Sequence, residues 1–239
     1  MAEERAWGTT VANVADLVTR AAGRRPDGVA LLTGSEDADR VTWTELDSAV
    51  SRFASGLVAL GVQPGDRVAL LIGNTPDFPV AYFGALRAGL VAVPVNTGYT
   101  ASELAFLLDD VGARLLLVGR ADVADPDALK GEVATLEHVI RAGTQAWDAL
   151  EAAAPVERSV RGGEDLAVVV YTSGTSGRPR GAMLTHRALI ANLEQVSAIE
   201  PPVFLGDDVA LLVLPLFHIY GLNAWLVLVS FHAATAVLA

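Results

Sequence analysis

Residues 171–181 read Tyr-Thr-Ser-Gly-Thr-Ser-Gly-Arg-Pro-Arg-Gly. They gather four hydroxyls (Thr172, Ser173, Thr175, Ser176), three glycines (Gly174, Gly177, Gly181) and two cations (Arg178, Arg180). Glycines let consecutive backbone N–H groups turn inward, hydroxyls add donors, and an arginine adds fixed charge. Together these make a cradle for phosphate oxygens. The spacing is not that of a Walker A loop, because no Gly-Lys-Ser/Thr follows Gly174 or Gly177 at the required offset. A plain Gly/Ser/Thr surface turn is the competing reading. Such a turn needs neither this density of hydroxyls nor Arg180.

The flanking residues show how the chain would hold such a loop. The apolar run Leu166-Ala167-Val168-Val169-Val170 enters it as a buried strand would. Ala182-Met183-Leu184 leaves it as a return strand, and Thr185 is placed to cap a helix reaching about residue 198. Upstream, helix and strand periods alternate. Val14, Leu17, Val18 and Ala21 share one helical face, and residues 29–32 and 41–43 form short strands around a polar turn. Thr44-Glu45-Leu46-Asp47 has the form of a capping box. Leu46, Ala49, Val50, Phe53, Leu57 and Leu60 then recur at helical spacing. Strands follow at 67–72, 91–95 and 114–118, with a helix opened by Thr75-Pro76 and another capped at Thr100. Residues 120–163 are less regular, with one short helix near 147–152.

This alternation predicts an α/β fold: a largely parallel sheet with helices on both faces. Pro201-Pro202 marks the clearest boundary. Residues 1–200 are expected to form a first α/β subdomain that includes the loop, and residues 201–239 the start of a second.

Composition narrows the functional classes. An apolar content of 52% over 239 residues suffices for a sizeable core. A net charge of −11 with no basic run argues against nucleic-acid binding. The absence of cysteine excludes disulfides, thiolate metal sites and a cysteine nucleophile. The four histidines are scattered, and no His/Asp/Glu cluster has ligand spacing, so no protein-built metal site is expected. His138 and His232 carry no partner signal. The start of the chain lacks a basic stretch followed by an apolar one, which predicts a cytoplasmic protein. Residues 209–239 contain no Asp, Glu, Lys or Arg, a length that could span a bilayer. Pro215, His218, Gly221 and Asn223 interrupt the run and no basic flank follows, so a strand, a loop and a buried helix are expected instead.

The loop resembles the phosphate loop of the adenylate-forming superfamily, whose members include acyl-CoA synthetases, peptide-synthetase adenylation domains and luciferases. The family pattern is Thr-Ser-Gly-Ser/Thr-Thr-Gly-x-Pro-Lys-Gly. Ser176 stands where threonine is usual and keeps the hydroxyl. Arg180 stands where lysine is usual and keeps the charge in a planar fork. Lys130 is the only lysine among 17 basic residues, so an arginine here fits the bias of the whole chain. Two further segments match in order: Val41-Thr42-Trp43-Thr44-Glu45-Leu46, and Ala85-Leu86-Arg87-Ala88-Gly89 followed by Val93-Pro94-Val95-Asn96. Read locally, these are helix caps and strand edges. Leu214-Pro215-Leu216-Phe217-His218-Ile219-Tyr220-Gly221 resembles the Pro-Leu-Phe-His-x-x-Gly segment of acyl- and aryl-CoA synthetases.

The resemblance implies an acid–thiol ligase that uses ATP, Mg2+ and CoA. A fatty or aryl acid would become an acyl-adenylate with release of pyrophosphate, and then a thioester. It places the ATP phosphates on Thr172, Ser173, Gly174, Thr175, Ser176, Gly177 and Arg180, and the acid pocket beside His218 and Gly221. His186 reads as a helix-start residue. The loop itself is expected to be exposed and poorly ordered without ligand. No catalytic residue is assigned within the chain, since the family's adenine site and lid lysine have no counterpart after His218, and an N-terminal fragment is expected. The competing reading is a non-catalytic nucleotide-binding or assembly module on the same scaffold. On its own the 239-residue chain should fold, form no acyl-adenylate and self-associate through residues 209–239. Uncovered apolar surface there is penalised at about 25 cal/mol per Å2. Adenylate formation by the purified chain, or a strictly monomeric species in sedimentation at high concentration, would overturn this.

Overall fold

The computed structural model describes residues 12–33, 39–120, 126–155, 161–172 and 179–238. Its first half alternates as follows: α1 (Asp16–Arg24), β1 (Val29–Thr33), β2 (Asp39–Thr42), α2 (Trp43–Ala59), β3 (Arg67–Leu71), α3 (Asp77–Arg87), β4 (Val91–Pro94), α4 (Ala101–Val111) and β5 (Ala113–Val118). The stretch that reads as irregular in sequence holds α5 (Pro126–Glu132), β6 (His138–Arg141) and α6 (Gln145–Glu151). Then come β7 (Leu166–Thr172), β8 (Arg180–Thr185), α7 (His186–Ser197), β9 (Val209–Leu212), α8 (Ile219–Gly221), a π-helical stretch (Leu222–Val227), α9 (Leu228–His232) and β10 (Thr235–Leu238). Residues 209–238 therefore form a strand, a loop, broken helical turns and a strand. No helix among the described residues is long and apolar enough to cross a membrane.

The strands among the described residues form two sheets. The larger runs β6-β5-β3-β4-β7-β8 and is parallel except for the β7–β8 pair. Its strands β3 and β4 are buried along nearly their whole length, as their unbroken Val/Ala/Leu runs require. The smaller runs β2-β1-β10-β9, with β10 parallel to both β1 and β9 and β2 antiparallel to β1. It draws strands from both sides of Pro201-Pro202.

Local capping chemistry sets the helix starts. α4 opens on a reciprocal box: Thr100 accepts from the Glu103 N–H, and the Glu103 carboxylate accepts from Thr100 N at 2.8 Å. The box of α2 lies two residues earlier than the sequence pattern suggests. Thr42, not Thr44, is the cap, and Glu45 reaches back to its N–H at 2.8 Å. Both pairs have the three-residue offset, but a box is closed by the longer Glu or Gln side chain, and the Asp47 carboxylate is taken by Thr19 and Arg87. Thr44 donates instead to the Pro26 carbonyl at 3.0 Å. Trp43 thus begins the helix instead of ending a strand, and its side chain is buried.

Between the two sheets, helices α1, α2 and α3 meet around Arg87. This guanidinium is buried and donates to the Asp47 carboxylate at 2.7 Å, to the Asp47 and Ala15 carbonyls, and to the Ser51 and Thr19 hydroxyls. A planar fork with several donors can hold three helices at once, which a single point charge could not. Close approach elsewhere depends on small residues. A Cβ on Gly56 of α2 would lie 2.4 Å from the Leu150 Cα of α6, beside the Phe53–Trp147 ring pair, whose centroids are 4.9 Å apart. Gly23 of α1 faces open space.

These two helical glycines give opposite expectations. Gly23→Ala should stabilise the chain by up to about 1 kcal/mol through helix propensity alone. Gly56→Ala should destabilise it by about 1–3 kcal/mol, because backbone and not a movable side chain blocks the methyl. Urea denaturation midpoints of the two variants measure both effects.

Candidate functional site

The antiparallel pairing of β7 with β8 fixes the two ends of the hydroxyl- and glycine-rich loop. Val170 faces Ala182, Tyr171 faces Gly181, and Thr172 faces Arg180. Thr172 and Arg180 are thus cross-strand neighbours, both exposed, at the point where the hairpin opens. Ser173, Gly174, Thr175, Ser176 and Gly177, and with them the expectation about loop order, lie outside the described residues. Tyr171 anchors the base of the hairpin. Its hydroxyl donates to Asp110 of α4 at 2.6 Å. Burial, reinforced by the Asp110 carboxylate, pushes that hydroxyl well above the usual phenol range. Gly181 packs against the Tyr171 ring, and a Cβ there would come within 2.7 Å of Val169. Neither Asp110 nor this contact is legible as a site feature in the sequence.

Below Arg180, β8 continues to Leu184 and then into α7. Together with α8 and the π-helical stretch they enclose a cleft of about 290 Å3. Leu184, Ala188 and Leu189 line one side, and Ile219, Tyr220 and Ala224 the other. Leu184 lies four residue steps along the strand from Arg180, roughly 13 Å, so one strand links the mouth of the loop to the cleft wall. The polar members of the lining are Asn192 and Asn223. Asn223 is buried and its amide donates to the Asn192 side chain at 2.9 Å.

His218 caps the short α8 turn. It is exposed, and its Nδ1 accepts from the Tyr220 N–H at 3.2 Å. The residues that follow it, Ile219 and Tyr220, are the ones that wall the cleft. Gly221 faces away from it and packs on the chain itself: a Cβ there would lie 2.4 Å from the Pro215 carbonyl oxygen. Its backbone fits only without a side chain. His232 has a partner after all, since its Nε2 lies 2.8 Å from the Ser197 hydroxyl. Among the described residues no three His, Asp or Glu side chains gather as a metal site would require.

His186 opens α7, as its place after Thr185 suggests. Its buried ring accepts from the Val14 N–H at 3.1 Å through Nδ1, pinning the approach to α1 against the helix that walls the cleft. Burial lowers its pKa to about 4, with Asp165 opposing and Arg161 assisting.

With this geometry in place, comparison with known proteins decides the family. The model of the AMP-binding enzyme family matches residues 18–239. The chain belongs to that family. It is 36% identical over 189 residues to the long-chain-fatty-acid–CoA ligase FadD13 of Mycobacterium tuberculosis, covering 77% of this chain and 37% of that protein. It is 36% identical over 211 residues to 4-coumarate–CoA ligase 3 of Arabidopsis thaliana, covering 83% of this chain and 36% of that protein. The inhibitor-bound crystal structure of the N-terminal domain of FACL13 from M. tuberculosis superposes with a TM-score of 0.85 at 32% identity, over 95% of this chain and 57% of that one. The chain therefore spans a little over a third of the length of these curated relatives.

The His186 environment makes stability depend on pH. Its folded pKa lies below the unfolded value near 6.5, so the unfolded chain binds the extra proton between the two. The stabilisation is complete above about pH 6.5 and is lost as pH falls towards about 4, by up to roughly 3 kcal/mol. Chemical denaturation at a series of pH values should show this slope, and His186→Asn, which keeps an acceptor near Nδ1, should flatten it.

Proposed function

We propose that this chain supplies the nucleotide-phosphate loop and one wall of the acid site in an ATP-dependent acid–thiol ligase. The single observation that carries the reading is the β7–β8 hairpin, in a member of the AMP-binding family, with Thr172 opposite Arg180 at its opening. In the first step a carboxylate oxygen attacks the α-phosphorus of ATP and the bond to pyrophosphate breaks, giving acyl-adenylate. In the second a CoA thiolate attacks the acyl carbon and AMP leaves, giving the thioester.

The protein's part in the first step is positioning and charge neutralisation. Thr172, Ser173, Gly174, Thr175, Ser176 and Gly177 supply hydroxyl and backbone donors to the phosphates. Arg180 supplies a permanent positive charge where negative charge accumulates on the leaving pyrophosphate. The described residues do not form a cage for a divalent ion. Mg2+ enters with the nucleotide, held by phosphate and water. The acid is a fatty or aryl carboxylate, in keeping with the mostly aliphatic and aromatic lining of the cleft.

Carboxylate-dependent ATP–pyrophosphate exchange by the full-length protein tests the reading, and a panel of alkyl and aryl acids identifies the substrate class. Arg180→Ala should lower kcat for adenylation by about 10^2–10^3-fold, as loss of one charge-stabilising donor does elsewhere, with a smaller effect on ATP affinity. Arg180→Lys should recover much of this, since the family places a lysine here. An unchanged kcat in Arg180→Ala would assign the charge to another residue.

A further inference from the structure

We propose that Asn74, which stands in none of the motifs, is a positioning residue for the acid-binding wall. The inference rests on the reading that the acid occupies the cleft beside α8. Asn74 follows the central strand β3, and its side chain crosses to the other sheet. Its Nδ2 donates to the Leu212 carbonyl at 3.1 Å and to the Leu214 carbonyl at 3.0 Å, and its Oδ1 accepts from the Leu216 N–H at 2.9 Å. One amide thus takes the place of a neighbouring strand where β9 has ended and the chain turns towards His218.

The same segment is also packed closely by Gly221. A Cβ on Gly221 would meet the Pro215 oxygen at 2.4 Å and the Leu214 oxygen at 3.0 Å, so the backbone of residues 214–215 is contacted by both the Asn74 amide and the bare Gly221 Cα. From there hydrogen bonds run onward. The His218 N–H donates to the Pro215 carbonyl at 3.0 Å, the Tyr220 N–H to His218 Nδ1 at 3.2 Å, and the Leu222 N–H to the His218 carbonyl at 2.9 Å. Ile219 and Tyr220, which wall the cleft, sit inside this series. The orientation of His218 and of the wall therefore derives from a side chain more than 130 residues earlier, mounted on the most enclosed part of the larger sheet.

The chemistry of the amide is specific. Two of its contacts need a donor and one needs an acceptor, and asparagine supplies both within one short side chain. Aspartate would keep the acceptor for Leu216 and turn an oxygen towards two carbonyls. Alanine would remove all three contacts and leave the turn free to drift, and a misplacement of about 1 Å in such a wall lowers turnover by about 10^2-fold.

The test compares wild type, Asn74→Ala and Asn74→Asp in the full-length protein by amide hydrogen exchange and by steady-state ATP–pyrophosphate exchange. Asn74→Ala is expected to lose protection at the Leu216, His218 and Tyr220 amides, and Asn74→Asp, which keeps the acceptor for Leu216, at His218 and Tyr220, while β3 and β4 keep theirs. Both variants should also raise KM for the acid and lower kcat/KM for it by about 10^2-fold, with KM for ATP unchanged. Unchanged protection at those three amides overturns the clamp, whatever the enzyme turns over. Lost protection with an unchanged acid KM overturns the positioning role, as does an Asn74→Asp variant that behaves as wild type. A wild-type protein with normal protection but no carboxylate-dependent exchange refutes the ligase reading itself, and the acid-positioning role with it.

Discussion

The central strands of the larger sheet have no polar side. β3, β4, β5 and most of β7 bury residues on both faces, so helices must cover the sheet above and below. This one requirement orders the rest. Polar chemistry is excluded from the body of the sheet and collects where strands end and the chain turns. The loop between β7 and β8 opens at such an end, and Asn74 occupies another. In open α/β sheets the ends of the strands are where ligands find backbone donors unclaimed by the ladder.

Much of this was legible from residue types and spacing. Long apolar runs bounded by Gly and Pro mark β3, β4, β5 and β7, and Thr-x-x-Glu at Thr100 marks the start of α4. What the sequence conceals are relations between distant residues. The pattern around Thr44 resembles a box, yet the cap is Thr42 closed by Glu45, because Asp47, at the matching offset from Thr44, is drawn away by Thr19 and Arg87. β6 reads as irregular because its four residues, His138–Arg141, include two charged or titratable side chains and are only partly buried at the sheet edge. The division into two sheets escapes one-dimensional reading altogether, since it depends on β10 entering between β1 and β9.

The same limit separates motif from mechanism. Arg87 and Gly221 both lie within family-like segments, yet what they do is visible only in three dimensions. Arg87 satisfies five acceptors drawn from α2, α1 and Ala15 just before α1, and Gly221 admits a carbonyl oxygen where any side chain would collide. Asn74 lies in no motif, because nothing local about Gly73-Asn74-Thr75 predicts partners at Leu212, Leu214 and Leu216. Polar residues that follow a central strand and reach across a sheet boundary are the class that pattern reading misses.

The placement of β10 also has a consequence for how the chain is made. The Thr235 hydroxyl donates to the Val29 carbonyl across 206 residues of sequence, and the whole of β10 lies between β1 and β9. At ribosomal rates of about 5–20 residues per second, β1 is synthesised roughly 10–40 s before its parallel partner. During that interval β2 is the one native partner of Val29–Thr33 already made, and the edge reserved for β10 presents unpaired N–H and C=O groups beside the apolar side chains Ala30 and Leu31. The nascent chain thus carries an open strand edge until β10 has been made, and assembly of the smaller sheet is among the last events in the folding of this region.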